Sequence, residues 1–225
     1  MYVPATSARP AALATVPLAS AIEVATGGAS PGIPGLAGLG ATAAAHVSIA
    51  VRPPDLNVLA DRTSTIAGAL RPGLTGRVVT LQALGAHGWS TLASTHTKGD
   101  GRFRLRYLPR RTGSERVRLR FAGDATDLGA RRVLGRLNVY RLAQASWYGG
   151  GGELACGGEL TSTTMGVANK TLPCGSQVTL RYGGRTVSVR VIDRGPYVPG
   201  REFDLTEATK RALGFGDTGA VWSTR

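Results

Sequence analysis

Residues 177–196 read QVTLRYGGRTVSVRVIDRGP. Gln177–Arg181 and Thr186–Ile192 are short, rich in β-branched residues and bounded by turn formers, which marks both as strands. The second ends at Asp193, and Arg194-Gly195-Pro196 follows. A carboxylate at such a strand end either organises the turn as an Asx motif or points into a groove, held by local backbone donors. Upstream, Gln144–Tyr148 is a further short strand, followed by four glycines. Downstream, Asp204–Leu213 is the one helical stretch. Asp204, Thr206 and Glu207 supply capping groups, Lys210 and Arg211 suit the last turn, and Gly214 stops it.

Further from the C-terminus, residues 46–141 repeat short alternating segments with turn residues between them: HVSIAVR, TSTIAGAL, GRVVTLQAL, GWSTLAST, GRFRLRYL, ERVRLRFA and VLGRLNVYR. Strands at this spacing suggest an antiparallel, immunoglobulin-like β-sandwich. Asp100-Gly101 is a hairpin signal. Arg102, Arg104 and Arg106 alternate with Phe103, Leu105 and Tyr107, and Arg116, Arg118 and Arg120 with Val117, Leu119 and Phe121. Each arginine set thus lies on one face of its strand. If the two strands pair, like charges crowd one face; if they lie in opposite sheets, each outer face is basic.

Charge is concentrated in that middle segment, which holds 17 basic and 6 acidic residues of a chain whose net charge is +13. Such a surface suits acidic polymers, with nucleic acid the lesser expectation. Residues 1–45 are Ala, Gly, Pro, Ser and Thr with almost no charge and read as a tail or linker. Within them Ala11–Ile22 has the character of an export signal, interrupted by Pro17 and preceded only by Arg9. No apolar run reaches the length of a transmembrane helix.

Cys156 and Cys174 are the only cysteines. Their isolation within one small unit favours a disulfide and an oxidising, exported location; two buried thiols are the alternative. His46, His87 and His96 all precede residue 97. Residues 142–225 therefore hold neither a Cys/His metal site nor a His-based triad, and no metal or cofactor is expected. Gly28–Gly32 matches a nucleophile elbow and Gly214–Gly219 a dinucleotide fingerprint. The first has no strand before it and the second follows a helix, so neither carries function. Carboxylates remain as the chemistry: Asp193, Asp204 and Glu159.

The motifs Ala145-Ser146-Trp147-Tyr148-Gly149, Thr171-Leu172-Pro173 with Gly175, Val191–Tyr197 (VIDRGPY) and Asp204-Leu205-Thr206 stand in one order. In this the segment from Ala145 to about Trp222 resembles the rare lipoprotein A (RlpA) family of double-psi β-barrels, in a disulfide-bearing version. The resemblance implies an all-β chain whose sandwich is followed by a six-stranded double-psi barrel with a short helix. Expected domains are 1–45 (tail, linker or export segment), 46–141 (sandwich) and 142–225 (barrel).

The family's best-known members are septal lytic transglycosylases, which cleave peptidoglycan glycan strands without water or metal. Carried over, Asp193 falls on the proposed catalytic aspartate, while Tyr148, Arg194 and Tyr197 line the groove. Asp204 matches the acid that follows a His-Phe pair in expansins, where this chain has Glu202-Phe203. Asn169 stands where the family has His, able to hydrogen-bond a sugar or orient Asp193. Glu159 falls nearest the family's glutamate, one residue out of register. The resemblance implies an exported wall enzyme; the alternative is an expansin-like module that holds glycan without cutting it.

Overall fold

The computed structural model of the protein describes residues 46–225, so the expected tail and export segment lie outside the described residues. The structure is all-β with one short helix. Eight strands come first: β1 (Ser48–Val51), β2 (Asn57–Leu59), β3 (Ser64–Arg71), β4 (Val78–Gly85), β5 (Gly88–His96), β6 (Arg102–Tyr107), β7 (Gly113–Gly123) and the 21-residue β8 (Leu128–Tyr148). β1, β3 and β6 form one sheet. β5, β4, β7, β8 and β2 form the other.

Period-two alternation is what lets the sheets stack. Phe103 and Leu105 of β6 are buried between exposed arginines, and Val117, Leu119 and Phe121 of β7 are buried in alternation with outward-facing residues. Ile66, Leu70, Phe103 and Leu105 from the first sheet meet Val79, Leu81, Leu119, Phe121 and Val139 from the second in one core. The arginine-bearing strands thus lie in opposite sheets, which leaves both outer faces basic.

Two expectations change. Asp100-Gly101 does make a tight turn, with Lys98 N donating to Arg102 O and Gly101 N to Lys98 O. It is not a hairpin between ladder neighbours, because β6 pairs with β3 and β5 with β4 in the other sheet. The strands expected at Val133–Arg141 and Gln144–Tyr148 are one strand, β8. Its Leu137 and Val139 enter the sandwich core and its Ala143 and Ala145 a second core. The expected boundary at 141/142 falls inside it.

The second core belongs to the barrel. After a hairpin of β9 (Gly152–Glu153) and β10 (Glu159–Leu160) come β11 (Val167–Ala168), β12 (Gln177–Tyr182), β13 (Arg185–Asp193), β14 (Phe203–Thr206), helix α1 (Glu207–Leu213) and β15 (Gly219–Ser223). The strand order is β14-β11-β13-β12-β15-β8, and β14 pairs back onto β8 from Phe203↔Ala145 to Thr206↔Tyr148. Closure leaves these six strands without a free edge. Two pairings are parallel, β8 with β14 and β11 with β13. Val167, Val178, Leu180, Val191, Phe203, Leu205 and Val221 fill the interior.

The sequence reading starts the helix at Asp204; the structure starts it at Glu207. Thr206 is the N-cap, its Oγ1 accepting from Thr209 N, and Gly214 ends the helix in the left-handed region at φ 65°. Asp204 is not a cap. It lies in β14, because Phe203–Thr206 gains ladder partners on both sides, β8 and β11.

Two charged groups are buried together in the sandwich. Arg77, 6% exposed, lies with Nε 3.0 Å from Asp124 Oδ2 and bonds the equally buried Asp127. Hydrogen bonds from the Thr126 hydroxyl and amide, helped by the Arg77 charge, hold the Asp124 carboxyl below the usual carboxylate range. The stability Asp124 contributes is therefore whole above the ordinary carboxylate pKa and is lost as the pH falls below it. Asp127→Ala leaves the guanidinium buried with one partner fewer. Stability should drop by about 3 kcal/mol, seen as a lower denaturant midpoint with an unchanged slope.

Candidate active site

β13 delivers Asp193 to the end of the parallel strand β11, beside which β14 and β8 run in the opposite direction. Ala168 of β11 pairs with Asp193 on one side and Asp204 on the other, and Asp204 pairs onward with Ser146 of β8. The two aspartates are thus two strand spacings apart, ~9.6 Å between backbones, with only a methyl side chain between them. Gly166, just before β11, lets the Ile192 side chain in; a Cβ there would sit 2.2 Å from Ile192 Cδ1.

The two oxygens of Asp193 are treated differently. Oδ1 accepts from Ala155 N at 2.9 Å and from Arg194 N at 2.8 Å. Oδ2 takes no hydrogen bond among the described residues. The carboxylate is therefore fixed through Oδ1, while Oδ2 has no main-chain partner. Asp204 Oδ1 accepts a hydrogen bond from the Ser146 hydroxyl. Tyr148, the next residue of β8 on the same face as Ser146, brings its hydroxyl close to both acids. That hydroxyl is buried and makes no hydrogen bond of full geometry. Burial, then the charge of Asp193 and its hydrogen-bonding oxygens, then the charge of Asp204, push its pKa well above the ordinary tyrosine value.

Two loops frame Asp193. Cys156 and Cys174 form a disulfide, Cα–Cα 5.6 Å, and Cys156 N donates to Ile192 O. The bridge holds the segment that carries Ala155 N. The other loop is held by Arg194, whose guanidinium donates to Asn169 O at 3.0 Å and Leu172 O at 2.7 Å and contacts Cys174 Sγ. Asn169, 7% exposed, directs its whole side chain at backbone: Oδ1 accepts from Thr171 N and Leu172 N, and Nδ2 donates to Glu202 O. Both residues hold the loop in place.

The remaining sequence candidates sit further out. Glu159 is exposed on β10, opposite the equally exposed Glu153, and no hydrogen bond joins it to Asp193. Tyr197, 80% exposed, projects beyond the Gly195-Pro196 turn. Glu202 is paired with Arg141. Sequence reasoning missed Ser146 and the Ala155 amide. The first was readable, since it shares a strand face with Tyr148. The second is a backbone donor brought in by the disulfide and has no side-chain signature.

Comparison with known proteins finds similarity over the segment that holds these residues. Residues 142–222 match the family described as "Lytic transglycolase". In this segment the chain is similar to the RlpA-like double-psi β-barrels. The probable endolytic peptidoglycan transglycosylase RlpA of Aquifex aeolicus (strain VF5) is 38% identical over 87 residues, covering 36% of this chain and 38% of the relative. The endolytic peptidoglycan transglycosylase RlpA of Pseudomonas aeruginosa (strain UCBPP-PA14) is 42% identical over 89 residues, covering 37% of this chain and 26% of the relative. The chain thus spans well under half the length of these curated relatives. A solved structure, Streptomyces papain inhibitor (SPI), matches 38% of this chain and 94% of its own at 24% identity and TM-score 0.32.

The protein has six tyrosines, and Tyr148 should ionise well above pH 10. In a titration followed by NMR of ring-labelled tyrosine, its signal should move at higher pH than that of free tyrosine. Asp193→Asn should lower that pH by removing the charge that holds the proton. Because the folded pKa is raised, stability from Tyr148 is present below the unfolded value and is lost as the pH rises above it. The two-cysteine variant Cys156→Ser/Cys174→Ser should lose about 3 kcal/mol of stability, the cost expected of opening a loop of this size.

Proposed function

We propose that the barrel cleaves peptidoglycan glycan strands as a lytic transglycosylase, with Asp193 acting first as acid and then as base. The observation that carries this reading is the asymmetry of one carboxylate, Oδ1 pinned by two amides and Oδ2 without a main-chain partner. A group that passes one proton out and takes one back needs a fixed position and an unobstructed oxygen.

Protonated Asp193 donates through Oδ2 to the glycosidic oxygen between N-acetylmuramic acid and N-acetylglucosamine. The bond from C1 to that oxygen breaks, the muramyl C6 hydroxyl oxygen bonds to C1, and its proton goes to Asp193. No water is consumed and a 1,6-anhydromuramyl end forms. Asp204, fixed by Ser146, supplies negative charge beside a centre that becomes oxocarbenium-like. Tyr148 offers a hydroxyl between the two acids. Arg194 and Asn169 keep the walls of the groove in position, and Tyr197 reaches outward to the glycan.

The rival reading is a binder, favoured by the lack of a titratable side chain at residue 169. Glycan binding without cleavage commonly uses a row of free aromatic faces, and of the barrel's exposed aromatics only Tyr197 is more than about two-fifths exposed among the described residues. Trp147 lies under Lys210 Nζ, 3.7 Å from the ring centroid, Tyr182 packs edge-on to Phe215 and Trp222 packs on Tyr140. The catalytic reading is therefore preferred. Its partners are peptidoglycan glycan strands and, for the arginine-rich sandwich, acidic polymers of the same wall. Its place of action is the cell envelope, reached by export; no helix among the described residues is long and apolar enough to cross a membrane.

Muropeptide analysis after incubation with purified wall tests the proposal. Wild type should release 1,6-anhydromuramyl products. Asp193→Asn should lower the rate by at least about 10²-fold while still binding wall and unfolding at a similar temperature. Reducing ends in the product would mean hydrolysis with a second acid. A wild type that binds wall and releases nothing would establish the binder.

A further inference from the structure

We propose that the outer face of the larger sandwich sheet is a docking surface for a phosphodiester-linked anionic polymer of the cell wall, seated on Arg118, Arg120 and Arg131. The choice of a wall polymer rests on the function proposed for the barrel.

The ladder puts five arginines on this face. Arg116 pairs directly with Arg136, and Arg120 with Arg131; Arg118 lies between them on β7. Like charges directly opposite in an antiparallel pair destabilise it. No ion pair to a carboxylate relieves any of the five among the described residues. All but Arg118 are exposed. On the opposite sheet, by contrast, Arg102 is already paired with Asp100 at 3.3 Å. A surface that keeps repelling cations together is relieved by an anion from outside.

The face also has a shape that suits one. A depression of about 360 Å³ is lined by Arg118, Arg120 and Arg131, with Gly129 and Ala130 adding little bulk. Arg118 is held in place, its Nε donating to Gln82 Oε1 at 3.0 Å and its guanidinium lying 3.9 Å from the Trp89 ring centroid. Planar guanidinium forks match phosphate oxygens two at a time. Arginines two residues apart along β7 repeat every ~6.8 Å, so Arg116 and Arg136 continue the charge beyond the depression. A chain of phosphates fits this better than a single anion does. Nucleic acid is disfavoured, because single strands are held by exposed aromatic platforms and Trp89 is already covered by Arg118.

The test uses the full chain and fluorescent poly(glycerol phosphate), with oligothymidylate of equal charge as competitor. Wild type should bind the polymer, and affinity should fall about 50-fold between 50 and 200 mM salt if four phosphates are neutralised. The variant Arg116→Gln/Arg120→Gln/Arg131→Gln/Arg136→Gln should bind at least about ten-fold more weakly at 50 mM salt, with most of the salt dependence gone. Its unfolding temperature should hold or rise, since repulsion is removed. Should it misfold, Arg120→Gln/Arg131→Gln takes its place, and the matching Lys substitutions should keep most of the binding. No binding at 50 mM salt, or wild-type affinity in the Gln variants, would overturn the surface. So would a greater loss from Arg102→Gln/Arg104→Gln/Arg106→Gln on the other sheet. Tighter binding of oligothymidylate would overturn the wall polymer as partner. None of these readouts involves glycan cleavage. A barrel that leaves wall uncut while the sandwich binds the polymer would sink the proposed enzyme and leave the surface standing.

Discussion

Between Phe203–Thr206 and Ala145–Tyr148 run the parallel ladder bonds that turn six strands into a closed barrel. The same four residue pairs set the candidate site. Asp204 is held beside Ser146, Thr206 beside Tyr148, and the far side of β14 holds β11, whose Ala168 separates the two aspartates. Without that pairing β14 would be an edge, Asp204 would be free to cap the helix, and Tyr148 would lose the burial that holds its proton. Barrel closure and site geometry are one constraint. It falls on β8, which also completes the larger sheet of the sandwich.

Around this frame the loops arrange a difference between two carboxylates. Asp193 is fixed by main-chain amides, one from its own turn and one from a segment tethered by the disulfide, and keeps one oxygen without a main-chain partner. Asp204 is bonded to a neighbouring hydroxyl on a strand with partners on both sides. Arg194 and Asn169, which sequence resemblance places in the groove, hold backbone instead of projecting into open space. The position of Asp193 thus depends on groups that are themselves spent on the backbone of the neighbouring loop.

Much of this was legible in the sequence, for identifiable reasons. Alternation in the segments around Phe103 and Leu119 is a local signal, so the strands and their buried faces could be read directly. The sheet to which each strand belongs depends on distant partners, and the Asp100-Gly101 turn, a sound local signal, gave the wrong neighbour. Asp193 stood out because a carboxylate between a β-branched run and Gly-Pro is a local pattern. Asp204 was misread because Asp-Leu-Thr-Glu offers capping groups whether or not a ladder claims its first three residues. Asn169 could not be resolved as a structural residue, since its three partners are backbone groups brought together by the turn at Thr171 and by Glu202, 33 residues away.

The most direct measurement is a crystal structure of the Asp193→Asn protein with a bound peptidoglycan oligosaccharide. A glycosidic oxygen within about 2.6–3.2 Å of the side-chain atom of residue 193 that has no main-chain partner, with the muramyl C6 hydroxyl facing C1, would place the reaction at that oxygen. A glycan lying across the barrel with its nearest glycosidic oxygen beyond reach of residue 193, or with Asp204 in its place, would contradict Asp193 as the proton carrier.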